Sequence, residues 1–322
     1  MTEPHPPEEH WVAQEGAFSA ATSNVPVLHY YPVRGRAEPI RLVLALMQQP
    51  WFEPPVEPLH ALVRRDLDSF PFRQMPRFVD EVNAKIDLVQ SMAILRHLGR
   101  KYKLYGSGDL EDSAAIDMVL DAVSELREKL KNVWVVSKME PGAVQRYTSS
   151  VLAPEAELLA STEPGPGLAC LERLLAGPPG ADAPAGSGMQ GDDKHSSSSQ
   201  PAGAATASGA AASCAACGGE VVDDGSDEGA SLLSDDGAAD GRLWFVGERL
   251  SIADIAVADL VDLNLVHFEA QVKSTFPHLH LHWRRVMGQT GIKVYLGSNN
   301  RHSLMWGQDW IDQRQGAADG QQ

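Results

Sequence analysis

Apolar and polar positions follow two regimes along this chain. In the first, short runs alternate with helical spacing. Residues 25–30, Val-Pro-Val-Leu-His-Tyr, are β-branched and aromatic and predict a strand. Residues 36–47 carry apolar side chains at 40, 43, 44, 46 and 47, with Pro39 in the first turn, and predict a helix. Residues 52–56 read as a short strand weakened by two prolines. Arg77-Phe78-Val79 and Ile86-Asp87-Leu88-Val89 flank a polar turn and predict a hairpin. Residues 91–102 are helical again, with Ser91 suited to the N-cap. The predicted order is βαβ-ββα.

The second regime is helical throughout. Ile116, Val119, Leu120, Val123, Leu126 and Leu130 form one stripe within a predicted helix over residues 112–136. Residues 153–159 and 168–175 add shorter pieces. Leu250-Ser251-Ile252-Ala253-Asp254-Ile255 holds a capping box, with Ser251 at N-cap and Asp254 at N3, and Leu250 placed to staple onto Ile255. Val257, Leu260, Leu263 and Leu265 carry that helix on. The pattern predicts a mixed α/β domain over residues 25–103 and an all-helical domain over residues 107–312.

Two stretches break the pattern. Residues 1–24 are polar and rich in Pro and Glu, and a disordered tail is expected there. Residues 177–241 hold 13 Gly, 15 Ala and 10 Ser, and their only large apolar side chains are Met189, Val221, Val222, Leu232 and Leu233. Such a stretch buries too little area to offset its ordering entropy, so a disordered insertion into the helical domain is expected. These stretches also hold the charge. The formal net charge is −16, yet residues 1–23 carry four carboxylates without a Lys or Arg, and residues 177–241 carry eleven against Lys194. The remainder is nearly neutral, which argues against a nucleic-acid groove. Three cysteines in 322 residues exclude a disulfide framework and suit a reducing compartment. No apolar run is long enough for a membrane span, and residues 1–24 resemble neither a secretory signal nor a transit peptide. A cytoplasmic protein is expected.

Candidate chemistry gathers in the first domain. Tyr30 and Tyr31 end the first strand, and Arg34 and Arg36 follow in the next loop. Met75-Pro76 precedes the hairpin; a cis peptide there would turn the backbone of Met75 toward a ligand instead of a neighbouring strand. Gln90-Ser91 opens a helix whose unpaired N–H groups favour an anion such as a carboxylate. Phenol, guanidinium and helix N-terminus on one edge suit a small carboxylate-bearing ligand with a reactive atom near a tyrosine hydroxyl. Taken singly, Tyr30 is equally a packed strand-end aromatic, Arg36 a partner for Glu38, and Glu125 a solvated helix residue.

The run Tyr30-Tyr31-Pro32-Val33-Arg34-Gly35-Arg36-Ala37-Glu38 resembles the opening of the tyrosine-type cytosolic glutathione S-transferases. Gln74-Met75-Pro76, Gln90 to Arg100 and Leu104-Tyr105-Gly106 are similar to that family's cis-proline element, γ-glutamyl-binding helix and linker. Ile116-Asp117-Met118-Val119 and the capping box at Ser251 resemble its helical domain. Pro-Val before Arg-Gly-Arg, with residues 94–100, leans toward the pi class. The resemblance covers about residues 25–177 and 242–300. It implies a thioredoxin-like βαβ-ββα domain followed by an all-helical domain.

The resemblance also implies roles. Tyr30 matches the tyrosine that hydrogen-bonds the glutathione sulfur and stabilises its thiolate. Gln90 and Ser91 match the residues that hold the γ-glutamyl carboxylate. Gln74, Met75 and Pro76 match the element that pairs with the cysteinyl stretch, and Arg36 an arginine lining the site. Arg65 falls near the basic residue for the glycine carboxylate. Glu125 matches an acidic residue that reaches the ligand in the partner subunit, and Phe72 an aromatic key between subunits. Tyr31, Val33, Val133 and Val135, with the C-terminal segment, are expected to wall a pocket for a hydrophobic electrophile. The implied protein is a homodimer that conjugates glutathione, a co-substrate, with no cofactor, metal, nucleic acid or membrane. The alternatives are a non-catalytic binding or assembly protein on the same fold, and a glutathione-dependent isomerase or peroxidase. The chain departs from the pi pattern by lacking Trp and Lys in residues 57–73, by Met92, by a longer hairpin turn and by the insertion.

Three further features carry bland readings. Cys214 and Cys217 have redox-motif spacing but lie in Ala/Gly/Ser filler, and no cysteine precedes Cys170. His278, His280 and His282 would share a face in a strand; the family resemblance makes the segment a helix start, where they do not all converge. Trp306 and Trp310 are spaced to pack one face of a terminal helix.

Overall fold

The computed structural model describes residues 25–80, 85–161, 165–177 and 242–304. The expected tail at 1–24, nearly all of the expected insertion, Cys214, Cys217, Trp306 and Trp310 lie outside the described residues.

Strands β1 (Val27–His29), β2 (Arg77–Asp80) and β3 (Ile86–Val89) form an antiparallel sheet in that order. The register pairs Leu28 with Phe78 and Phe78 with Leu88. Leu28 and Phe78 are fully buried, so the apolar set of each strand faces the core. The strand expected at 52–56 shrinks to one parallel bridge between Phe52 and Val27. Pro54 and Pro55 have no N–H to give a ladder, and from Pro55 the chain turns into helix α2 (Val56–Arg65).

Helix α1 (Glu38–Leu46) follows a 3₁₀ turn at Gly35–Ala37 and buries Ile40, Leu42, Val43 and Leu44. Helix α3 (Ser91–Lys101) packs beside it and against the sheet. Its last turn is tied down by Lys101 Nζ, 2.5 Å from the buried Asp80 carboxylate.

Helix α4 (Leu110–Lys131) starts at Asp109, whose side chain accepts from the Asp112 amide at 2.7 Å. Its buried stripe is the predicted one, with one addition: Arg127. The helix does not run on to 136 as expected. Residues Asn132–Val136 widen into a π turn closed by Ser137 N–H to Asn132 O at 2.9 Å. Three valines and a tryptophan crowd the tighter α spacing there. Helices α5 (Pro141–Ser150), α6 (Glu155–Ala160) and α7 (Leu168–Ala176) follow. α5 carries little apolar periodicity; its start signal is a Glu140 cap bonded to the amides of Gly142 and Ala143, with Pro141 at N1.

Beyond residue 242 come α8 (Ile252–Thr275), α9 (Pro277–Met287) and α10 (Thr290–Gly297). α8 packs on α1, α3 and α4, and α10 packs on α1, so the first domain and the helices share one core. The Ser251/Asp254 capping box is present. Asp254 does more than cap: it also accepts from Phe245 N–H at 2.8 Å and meets His282 Nε2 at 2.9 Å, both buried. His278, His280 and His282 sit on α9 as a helix, and each has its own neighbour: Glu172, the stacked ring of Trp283, and Asp254. No helix among the described residues is long and apolar enough to cross a membrane.

Candidate active site

The sheet register sets the site. His29 pairs with Arg77, and Arg77 pairs with Val89. β1 and β3 run toward this row and β2 runs away from it. Tyr30, Pro76 and Gln90 are therefore the next residues beyond one end of three adjacent strands. Strands lie about 4.8 Å apart, so the row from Tyr30 to Gln90 spans roughly 10 Å.

At one side of the row stands Tyr30, almost entirely buried. Its ring meets Tyr31 edge-on at 5.7 Å, and the Arg41 guanidinium lies 5.8 Å from its centroid. Its hydroxyl oxygen accepts a hydrogen bond from the backbone N–H of Arg36 at 2.9 Å. The turn can come this close because residue 35 is glycine: φ is +43°, and a Cβ there would meet the Tyr30 oxygen at 2.5 Å. Burial pushes the Tyr30 phenol above its ordinary pKa, against the pull of the Arg36 N–H and the cations of Arg127, Arg41 and Arg36. The phenol is thus a proton-bearing donor at neutral pH.

In the middle, the Met75–Pro76 peptide is cis. The pairing of β2 begins one residue later, at Arg77, so Met75 is outside the ladder. On the far side, Gln90 adopts φ 75°, ψ 110° and brings Ser91 in as the first, buried residue of α3. The Gln90 side-chain amide donates to Gln74 Oε1 at 3.2 Å. Gln74, Met75, Pro76, Gln90 and Ser91 are thereby brought together.

Arg36 leaves the turn toward Glu128, with which it is ion-paired. Val33 is buried and Tyr31 half-buried beside Tyr30, and Val33 is bridged to Ser303 of the C-terminal segment. Val133 is buried in the π turn and Val135 is half-buried. Two predicted residues stand apart: Arg65 is exposed in the last turn of α2, and Glu125 is exposed on α4, 3.4 Å from Lys129.

Sequence reasoning missed the charged groups beneath the site. Arg127 is buried, donates to the Gly35 carbonyl at 2.5 Å and is ion-paired with the equally buried Asp259. Burial raises the Asp259 carboxyl to about 6, against the pull of Arg127 and with the nearby carboxylates of Glu38 and Asp262 adding to the rise. Arg41 is fully buried and donates to the carbonyls of Tyr31, Val33 and Arg34, the three residues around the site's outer wall. A charged residue on the apolar stripe of α4, and an aspartate inside the apolar run of α8, were the available signals.

A model of the family "Glutathione S-transferase, C-terminal domain" matches residues 231–299. Glutathione S-transferase P 1 of Xenopus laevis is 45% identical over 105 residues, which is 32% of this chain and 48% of that protein. Glutathione S-transferase P of Bos taurus is 43% identical over 100 residues, 31% of this chain and 46% of that protein. The chain spans about half the length of the curated relatives it matches. A pi-class glutathione S-transferase structure from Onchocerca volvulus superposes with a TM-score of 0.54 over 84% of this chain and 92% of its own, at 22% identity, a likeness of fold. The sequence similarity thus covers about a third of this chain, and the structural likeness is one of fold. Glutathione S-transferases P are among the relatives it resembles in sequence.

Proposed function

We propose that this chain is a cytoplasmic glutathione transferase whose active centre is the Tyr30 hydroxyl. The observation that carries the reading is the single row of Tyr30, Met75-Pro76 and Gln90-Ser91 at one sheet end. Its roughly 10 Å matches an extended tripeptide. The N–H groups at the start of α3 take the γ-glutamyl carboxylate, and the backbone of Met75 takes the cysteinyl segment. That leaves the sulfur at Tyr30. The phenol oxygen already accepts from Arg36 N–H, so its hydrogen is directed outward to the sulfur. The thiol proton leaves to solvent, and the phenolic O–H stabilises the thiolate in a shielded site. The thiolate then attacks an apolar electrophile held beside Tyr31, Val33, Val133 and Val135.

The test is the near-ultraviolet thiolate absorbance of bound glutathione, titrated over pH. A free thiol ionises near pKa ~8.5; a bound thiol ionising about two units lower supports the reading. Glutathione that binds but stays protonated would make this a binding protein instead.

We further propose that two copies pair. Phe72 is 62% exposed and Leu67 56%, on the segment after α2. A groove of about 550 Å³ lies elsewhere on the molecule, lined by Met118 and Ala122 of α4, Leu158 and Leu159 of α6, and Ala169 and Leu174 of α7. In a twofold dimer each Phe72 fills the partner's groove, so the contact occurs twice. Phe72→Ser should weaken dimerisation about a hundredfold, at roughly 1.5 kcal/mol for each ring. Sedimentation velocity over a dilution series reads this out. A variant that dimerises like the parent removes Phe72 from the interface.

A further inference from the structure

The peptide that joins Gly35 to Arg36 is hydrogen-bonded on both sides. Its N–H donates to the Tyr30 hydroxyl oxygen at 2.9 Å. Its carbonyl accepts from Arg127 Nη2 at 2.5 Å. The other terminal nitrogen of the same guanidinium is paired with Asp259. An unbroken chain of polar contacts thus runs from a carboxylate on α8, through a guanidinium on α4 and one peptide group, to the phenol. Tyr30, Gly35, Arg127 and Asp259 are all buried.

Holding two helices together would need only the Arg127–Asp259 pair. The second edge of the guanidinium goes to the carbonyl of the one peptide whose N–H donates to Tyr30. A cation on an amide oxygen draws electron density from the nitrogen and makes its N–H a stronger donor. A stronger donor on the phenol oxygen makes the phenolic O–H, in turn, a stronger donor to whatever faces it. The same bond fixes the plane of the peptide, so the N–H stays aimed at the oxygen. Gly35 allows this contact and could not be replaced without a clash.

We propose that Arg127 is a positioning residue for thiolate formation, acting through the Gly35–Arg36 peptide on the Tyr30 hydroxyl. The proposal rests on the reading of Tyr30 as the donor to the glutathione sulfur. No group in the relay gains or loses a proton: the thiol S–H breaks, its proton goes to solvent, and Tyr30 keeps its own.

The experiment compares Arg127→Gln, the double variant Arg127→Met/Asp259→Leu and Tyr30→Phe with the parent. The single variant strands the buried carboxylate of Asp259. The double variant removes both charges for apolar groups of similar volume, a replacement buried pairs often tolerate. Whichever folds, by far-ultraviolet circular dichroism and melting, carries the test. Three quantities are read: the pKa of bound glutathione from thiolate absorbance, the glutathione Kd, and kcat with an activated aryl halide. The expected result is a bound-thiol pKa about one unit higher, and a kcat about tenfold lower below neutral pH that recovers in alkali, with Kd within about threefold. A variant that folds with the thiol pKa unmoved overturns the proposal, as does a loss confined to Kd. The Tyr30→Phe arm separates the two failures. If it raises the thiol pKa and the Arg127 variants do not, the relay is wrong alone. If neither moves it, the Tyr30 reading is wrong.

Discussion

Replacing Tyr30 with phenylalanine is expected to lower kcat/KM for conjugation about a hundredfold to a thousandfold. The ring stays, so its edge-on contact with Tyr31 and the Arg41 guanidinium over its face stay. What goes is the single O–H that the proposed reading aims at the sulfur. Each unit by which the site depresses the thiol pKa corresponds to about 1.4 kcal/mol of preference for the thiolate. Without the hydroxyl the bound thiol should titrate close to its ordinary ~8.5. The acid limb of the pH–rate profile should shift upward with it. Glutathione affinity should change little, because the proposed site holds the carboxylate end at the start of α3 and the cysteinyl stretch at Met75. Steady-state kinetics across pH, beside binding measured by calorimetry, check this. A variant with unchanged kcat, or one whose whole loss lies in binding, contradicts the assignment of Tyr30.

The second large effect is expected for stability. Glu53 accepts from Arg41 Nε at 2.8 Å, Arg41 Nη2 at 2.7 Å and Trp51 Nε1 at 2.8 Å, and His302 approaches at 3.3 Å. Burial alone would raise its carboxyl; the Arg41 charge and hydrogen bonds, with His302, override that and bring it down to about 2. Breaking one member of such a buried pair costs about 3–5 kcal/mol, so Glu53→Gln should lose about 4 kcal/mol at pH 7. The sign of the pH dependence follows from the depressed value. The stabilisation is complete above the ordinary carboxyl pKa of 4.5 and is lost as pH falls toward about 2. Over that window it amounts to about 3 kcal/mol. The parent should therefore weaken steeply between these limits, while the variant should not. Urea unfolding at pH 7 and at pH 3 measures it. An equal gap between parent and variant at both pH values would show that Glu53 is not the titrating group. Because Arg41 also holds the carbonyls of Tyr31, Val33 and Arg34, the variant should additionally loosen the wall next to Tyr30.

The local pieces of the candidate site were legible in the chain because local chemistry writes local structure. The tyrosine at a strand end, the glutamine-methionine-proline step and the Gln90-Ser91 helix start are each short patterns; the first two stand where the pattern placed them, while the N-cap expected at Ser91 falls to Gln90 and Ser91 is the first helical residue. The stripe of α4 and the capping box at Ser251 were legible for the same reason. Periodicity and caps depend on neighbours within a few residues. Where a local rule was missing, the reading failed. Helix α2 follows two prolines that spoiled a strand without announcing a helix, and the π turn after Lys131 comes from crowding that periodicity does not register.

The tertiary structure alone decided how these pieces serve one another. That Tyr30, Pro76 and Gln90 form a row depends on the register of three strands, the first joined to the hairpin of the other two only by a long connection. The bond from Arg127 to Gly35 joins residues 92 apart, and its pairing with Asp259 joins residues 132 apart. The C-terminal segment is laid along the loop after Tyr30 by Arg34 N–H to Ser303 O at 3.1 Å and by Arg301 to Asp262 at 2.7 Å. A buried charge must find a partner, and the sequence shows that need as a polar residue on an apolar stripe. Which partner meets it is set by which helices pack, and packing is a property of the whole core.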